Sequence, residues 1–457
     1  MSSRSVVITG MGTLCPLGLS TTEFWHSCLT ETQAASYIPE AWLEYADFTS
    51  RYWAPLPEID YAAFGISRID ALRLDPVSKL SLAATAQALK DAGIVARPVN
   101  RKRTIFELEG LKPERVGVIL GTGIGGLNTT LESHTVHLFA RYREEMVSLL
   151  DSAEMDTDTE KELHALLKRM DYPQRYNPFT VSMIMNNSVS ANIGIRYQCK
   201  GPNKAISIAC ASGTAALGQA YTEIQNGTLD LTISGGVEYK YDTTGAVFRG
   251  YDIARTLAHD FPSPQEANRP FDKKRNGFLF SEGAAAILIL EEKQHALERG
   301  ANIIAEISAY AETFDAYSIM SPAPDGEQIE RMIRTALMQA DVKTTELDYI
   351  NAHGTGTLAN DETECNVIER IFGDRPAVNS TKSWVGHTIG ASGALETQVA
   401  ALSIRDQITH GNANLDEPIS SIKLLKTKEK LDISSALTHS FAFGGHNCAL
   451  ILKRPNV

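Results

Sequence analysis

A three-residue string occurs twice, each time opening a run of small and apolar residues. Ala211-Ser212-Gly213 continues into TAAL, and Ala391-Ser392-Gly393 into ALETQVAAL. Residues this small let two helices pack closely, and duplicated α/β halves whose equivalent helices meet at the centre account for the echo. The first copy follows a short β-branched run, ISIA from Ile206, that suits a buried strand. Cys210 then stands at a strand-to-helix turn. A thiol there faces free backbone N–H groups and the positive end of a helix, which favours its thiolate. A small core residue would suit the same position.

The flanking chain keeps to strands, helices and glycine turns. Val6 to Gly12 reads as a buried first strand, and residues 34 to 70, with Pro39, Pro55 and Pro57, as irregular. Asp75-Pro76 caps a helix that ends at Gly93. Arg97 to Arg103 reads as a basic loop. Val116 to Gly126 is a second strand ending in GTGIGG, a glycine cluster with no clear helix behind it and so weak evidence for a dinucleotide. Helical spacing from Leu131 to Tyr172 predicts a helical hairpin. Leu231 to Gly236, Ala284 to Leu290, Ile303 to Tyr310, Tyr349 to Gly354, Ala377 to Lys382 and Cys448 to Lys453 read as strands, with helices over 326 to 340 and 361 to 372.

With 457 residues the chain exceeds one simple core, so two lobes or one large duplicated unit are expected. A net charge of −12 argues against a general nucleic-acid binder. The six cysteines, at 15, 28, 199, 210, 365 and 448, have no metal-ligand or disulfide spacing, which fits a reducing compartment. Met1 to Arg4 leads straight into VVITGMG, too short for a signal peptide, and no apolar run reaches the ~18 residues of a membrane span. A cytoplasmic protein is expected.

Two histidines stand in glycine- and threonine-rich turns after strands: His353 in NAHGTGT and His387 in KSWVGHTIGASG. Each could be a hydrogen-bonded structural residue. Together with a helix-capping cysteine they form a set for thioester chemistry, in which attack on a carbonyl develops negative charge that neutral imidazole N–H groups can stabilise.

These motifs, with RPFDKKRNGFLFSEGA, VNSTKSWVGHT and HSFAFGGHN in the same order, resemble the β-ketoacyl-acyl carrier protein synthases of the thiolase-like condensing enzymes over nearly the whole length. The resemblance implies a thiolase-like α/β fold of duplicated halves in five layers, α/β/α/β/α, usually dimeric. It divides the chain into residues 1–295, with the nucleophile and the insertion near 131–172, and 296–457, with both histidines. It also implies decarboxylative Claisen condensation, with Cys210 as acyl acceptor, the backbone N–H groups of Cys210 and Phe443 as oxyanion hole, and His353 and His387 stabilising the malonyl-derived enolate through Nε2–H. Lys382 falls at the family's active-site lysine, in an electrostatic and structural role beside Glu364 or Glu396. Thr355 and Thr357 are implied to bind the phosphopantetheine arm, and Phe441 and Phe443 to sit on the gating loop before Gly444-Gly445. Asp272 and Arg275 are expected to pair structurally. No metal or tightly bound cofactor is implied. The partner is an acyl carrier protein, met by Lys273, Lys274 and Arg275 or by Arg101 to Arg103, with no role for nucleic acid or membrane.

Two departures stand out from the fatty-acid members: the long 131–172 segment, which follows Ile124 near the acyl pocket, and His446 where threonine is common. They admit a type II polyketide ketosynthase working as a heterodimer with a chain-length-factor-like homologue, instead of a homodimeric synthase. A thiolase using Cys448 and a non-catalytic partner of the same fold are further alternatives. Cys448 opens the apolar run CALILK, which reads as core packing.

Overall fold

The computed structural model describes residues 4–100, 104–152, 156–169 and 176–456. Ten strands carry the fold: β1 (Val6–Leu14), β2 (Val116–Gly121), β3 (Asn203–Ile206), β4 (Leu231–Tyr239), β5 (Gly283–Glu292), β6 (Ala305–Phe314), β7 (Tyr349–Asn351), β8 (Ala377–Asn379), β9 (Ser435–Ala442) and β10 (His446–Lys453). They lie in the order β8-β7-β9-β10-β6-β1-β5-β4-β2-β3. Outward from the β1/β6 join, each half runs antiparallel, antiparallel, parallel, parallel. That repeated pattern is the duplication, written in strand direction.

The two echoed strings open the two central helices, α5 (Ser212–Gln225) and α8 (Ser392–Asp406). Both pack between the half-sheets, and their Ala216, Leu217, Ala394, Leu395 and Val399 share one core with Ile8, Leu288, Ile307 and Leu450. Among the residues of α8, Ser392 to Ile404 are buried on every side, the mark of a helix enclosed by core. α1 (Pro76–Asp91) and α4 (Ser188–Tyr197) cover the outer face of the first half, and α6 (Glu327–Ala340) and α7 (Leu358–Phe372) that of the second. The result is five layers, as the family resemblance implies.

Glycine is required where α5 and α8 cross. A Cβ on Gly393 would collide with the Thr214 hydroxyl, and one on Gly213 would lie 2.9 Å from the Ala394 nitrogen. Gly393→Ala is therefore expected to cost about 1–3 kcal/mol, read as a lowered melting temperature. An unchanged melting temperature would show that the crossing can open.

Local expectations hold at most elements. Asp75 caps α1 by accepting from the Val77 N–H at 2.9 Å. Residues 34–70 contain only short pieces, among them the strand Tyr52–Ala54 and two 3-10 turns. The hairpin near 131–172 is present as α2 (Leu127–Ser152) and α3 (Thr157–Arg169), with residues 153–155 and 170–175 outside the described ones. Two readings need correction. A helix does follow GTGIGG at once, because α2 begins at Leu127. The segment Ala96–Asn100, read as part of a basic loop, is a strand paired with Ile105–Leu108, with Arg97 held 3.3 Å from Glu107; Arg101 to Arg103 lie outside the described residues. No helix among the described residues is long and apolar enough to cross a membrane.

Candidate active site

Cys210 lies in the 3-10 turn Ala209–Ala211 between β3 and α5. Ala209 adopts a left-handed φ of 49°, and Ile389, in the equivalent turn before α8, one of 52°. Non-glycine residues are uncommon there, and the two lie within two residues of Cys210 and His387. Ser212 ties down the cysteine turn, accepting from the Ile208 N–H at 2.9 Å and donating to the Ala209 carbonyl at 2.7 Å. Its counterpart Ser392 places Oγ 3.0 Å from His387 Nδ1. One duplicated serine orders the cysteine turn and the other orders the histidine.

The second half brings both histidines to the thiol. His387 Nε2 is 3.1 Å from Cys210 Sγ, and the His353 and His387 ring centres are 5.7 Å apart. The tautomers follow from the donors behind them. Nδ1 of His387 receives the Ile389 backbone N–H at 3.3 Å, and Nδ1 of His353 receives the Lys382 ammonium at 3.2 Å. Each neutral ring therefore carries its proton on Nε2. Burial, with the charge of Lys382 next, holds both imidazoles well below the usual range, so both are neutral donors at physiological pH.

The His353 turn is braced from below. On α7, Asp361 and Glu364 stand three residues apart and share one face. Glu364 accepts the N–H groups of His353 and Gly354 at 2.7 and 2.8 Å, and Asp361 that of Thr355 at 3.1 Å. Lys382 donates to the His353 carbonyl at 2.6 Å and to Glu396 Oε1. Of the two carboxylates expected for Lys382, Glu396 is thus the partner. Glu364 instead pairs with His439 Nε2 at 2.5 Å.

The Phe443 backbone N–H lies close enough to the Cys210 sulfur to favour its thiolate. Gly444 and Gly445, with φ of 90° and 85°, make the turn that returns the chain into β10. Phe441 lies 5.5 Å from the His353 ring, centre to centre. Phe441 and Phe443 line a cavity of about 250 Å³ together with Cys210, both histidines, and Thr355 and Thr357, whose hydroxyls are 2.9 Å apart.

Two family models decide the kinship: that described as "Beta-ketoacyl synthase, N-terminal domain" matches residues 3–295, and that described as "Beta-ketoacyl synthase, C-terminal domain" matches residues 304–416. The chain belongs to the β-ketoacyl synthase family. A relative named 3-oxoacyl-[acyl-carrier-protein] synthase 2, from Synechocystis sp., is 33% identical over 99% of each chain. Among solved structures, a beta-ketoacyl synthase from Burkholderia phymatum is 27% identical with a TM-score of 0.81, over 99% of this chain and 100% of that one. The ishigamide ketosynthase/chain length factor is 26% identical with a TM-score of 0.78 over the whole of both chains.

Within this synthase fold two expectations change, and the reading of Cys448 as core holds. The Cys210 thiol is not lowered: burial pushes it up to about 11, outweighing the pull of Lys382, the Phe443 N–H and Lys240. The expectation counted the helix terminus and not the loss of water around a fully enclosed sulfur. Asp272 pairs with Arg269 at 3.1 Å, while Arg275 faces Asp361 at 3.6 Å. Both arginines are buried, but Lys273 and Lys274 are exposed. Cys448 is buried against Ala211 and Ala215, 3.6 Å from the Tyr310 hydroxyl, and does not line the cavity. His446 packs on Phe314, ring centres 5.1 Å apart, beside the glycine turn, and Ile124 is exposed.

Sequence reasoning passes over Asp361, His439 and the buried pair Glu238 and Lys240. The last had a signal: two charged residues two positions apart, at and just past the end of a strand buried on both faces.

Proposed function

We propose that Cys210 accepts an acyl group from a carrier thioester and that His353 and His387 then drive its condensation with a malonyl thioester. The chain is a β-ketoacyl-acyl carrier protein synthase, a carbon–carbon bond-forming acyltransferase, as its family and full-length relatives bear out. The observation that carries the residue assignment is the convergence of one thiol and two Nε2–H donors in one cavity.

In loading, Cys210 sulfur attacks the thioester carbonyl, the oxyanion is received by the N–H groups of Cys210 and Phe443, and the thiol proton leaves with the carrier thiol. In condensation, the malonyl thioester loses CO2 and its enolate oxygen accepts from His353 and His387. The enolate carbon attacks the acyl carbonyl, the bond to Cys210 breaks, and the sulfur regains a proton. Lys382 positions His353 without entering the reaction, and Thr355 and Thr357 face the arm of phosphopantetheine in the cavity mouth. No metal or tightly bound cofactor has a part in this scheme.

Supplying acyl and malonyl carrier thioesters to the purified protein should release β-ketoacyl product and CO2 in equal amounts. Cleavage of a β-ketoacyl thioester by coenzyme A, without malonyl condensation, would favour a thiolase instead. The likeness to a ketosynthase/chain length factor supports a second reading, in which the chain is the catalytic subunit of a heterodimer. Full activity as a homodimer, indifferent to a co-expressed homologue, would remove that reading.

A further inference from the structure

A second buried lysine stands behind His387, and the reaction above does not use it. Lys240 directly follows β4 and is 1% exposed. Its Nζ donates to the His387 carbonyl at 2.9 Å and lies 4.2 Å from the Phe280 ring centre. Lys382 makes the equivalent bond to the other histidine, at the His353 carbonyl. Each histidine turn is thus tied by one ammonium through its own histidine's carbonyl oxygen. The His387 turn is tied again by Glu238, whose Oε2 accepts from Gly390 N–H at 3.1 Å and from Gly123 N–H at 2.7 Å. Glu238 and Lys240 are two residues apart, so they share one face of the strand direction.

We propose that Lys240 is a positioning residue for acyl transfer, fixing the His387 turn against Cys210 and, while charged, placing a second cation behind the reacting sulfur. The assignment rests on the condensing reaction proposed above. Among the described residues no carboxylate lies within ion-pair distance of Nζ, so this charge is buried without the direct partner that Lys382 has. A buried ion held that way is costly to the fold, and its benefit lies elsewhere.

The groups around it set when it is charged. Glu238 faces it from its own strand and Tyr251 from the helix Ala246–Ile253, with its ring centre 5.9 Å from Nζ; Cys210 and His387 face it from the two turns. Burial lowers the lysine to about 7, against the opposing pull of Glu238 and of the Cys210 thiolate. Tyr251 is raised by burial and stays neutral across this range, and His387 is too depressed to titrate there. Lys240 therefore supports the thiolate below neutrality and ceases to do so as the pH rises and it discharges. The hydrogen bond to the His387 carbonyl survives in either form, because the neutral amine still donates.

The test is the rate at which iodoacetamide alkylates Cys210 in the full-length protein from about pH 5.5 to 9, located by peptide mass spectrometry. In the wild type the logarithm of the rate should rise, slacken near neutrality as the lysine discharges, and rise again. Lys240→Met should give one straight line, about tenfold slower below neutrality, with the gap narrowing above it to what loss of the hydrogen bond to the His387 carbonyl leaves. Its melting temperature should be unchanged or higher, since a neutral side chain replaces a buried charge. A straight wild-type line would overturn the proposal without any variant. So would a variant whose only change is a lower melting temperature. Alkylation needs no acyl donor, so failure of the wild type to accept an acyl group would count against the proposed function and leave this result standing.

Discussion

His353→Ala is expected to leave loading of Cys210 intact and to slow condensation by about 10²- to 10³-fold, the usual cost of one preorganised donor at a developing oxyanion. Of the two histidines only His387 makes a hydrogen-bond contact to the sulfur, and the His353 ring lies 5.7 Å from the His387 ring, centre to centre. The two histidines should therefore separate kinetically. His387→Ala should slow both half-reactions, because the thiolate formed during loading loses its Nε2–H donor. Single-turnover measurements of acyl transfer and of CO2 release on each variant provide the check. Equal loss of loading in both variants would mean that the rings act only as one packed unit.

Glu396→Ala is expected to cost about 3–5 kcal/mol, enough to take a large share of the stability of a typical fold, because it leaves the Lys382 ammonium buried and without its carboxylate. Both side chains are almost wholly enclosed, at 2% and 1% exposure. The double variant Lys382→Met/Glu396→Leu, which removes both charges, should recover much of that stability while condensation stays lost, since the donor on His353 Nδ1 is gone. Denaturant unfolding of the three proteins measures this. A double variant no more stable than Glu396→Ala would show that the pair contributes by shape and not by charge.

Much of this site was legible because its chemistry is local in sequence. Cys210 stands where a β-branched run gives way to small residues, and each histidine sits in a turn whose glycines and threonines follow a strand directly. The echo of Ala-Ser-Gly disclosed the central helix pair because close packing demands small residues at both crossings. What stayed hidden depends on distant contacts. Neither the choice of Glu396 for Lys382 nor the pairing of Glu364 with His439 follows from spacing, since β9 is 75 positions from that carboxylate. The same limit explains the thiol. A helix start is visible in sequence, but the burial that raises Cys210 depends on the tertiary fold, which brings His387 and Phe443 from the other half of the chain to the same cavity.

The central claim is that Cys210 is the acyl acceptor, and intact-protein mass spectrometry tests it most directly. Wild type and Cys210→Ala are mixed with acyl carrier protein thioesters of increasing chain length, and malonyl carrier protein is then added. The wild type alone should gain one acyl mass, placed on Cys210 by peptide mapping, and lose it as β-ketoacyl product on malonyl addition. An acyl mass gained equally by Cys210→Ala, or by neither protein with any chain length, would contradict the account.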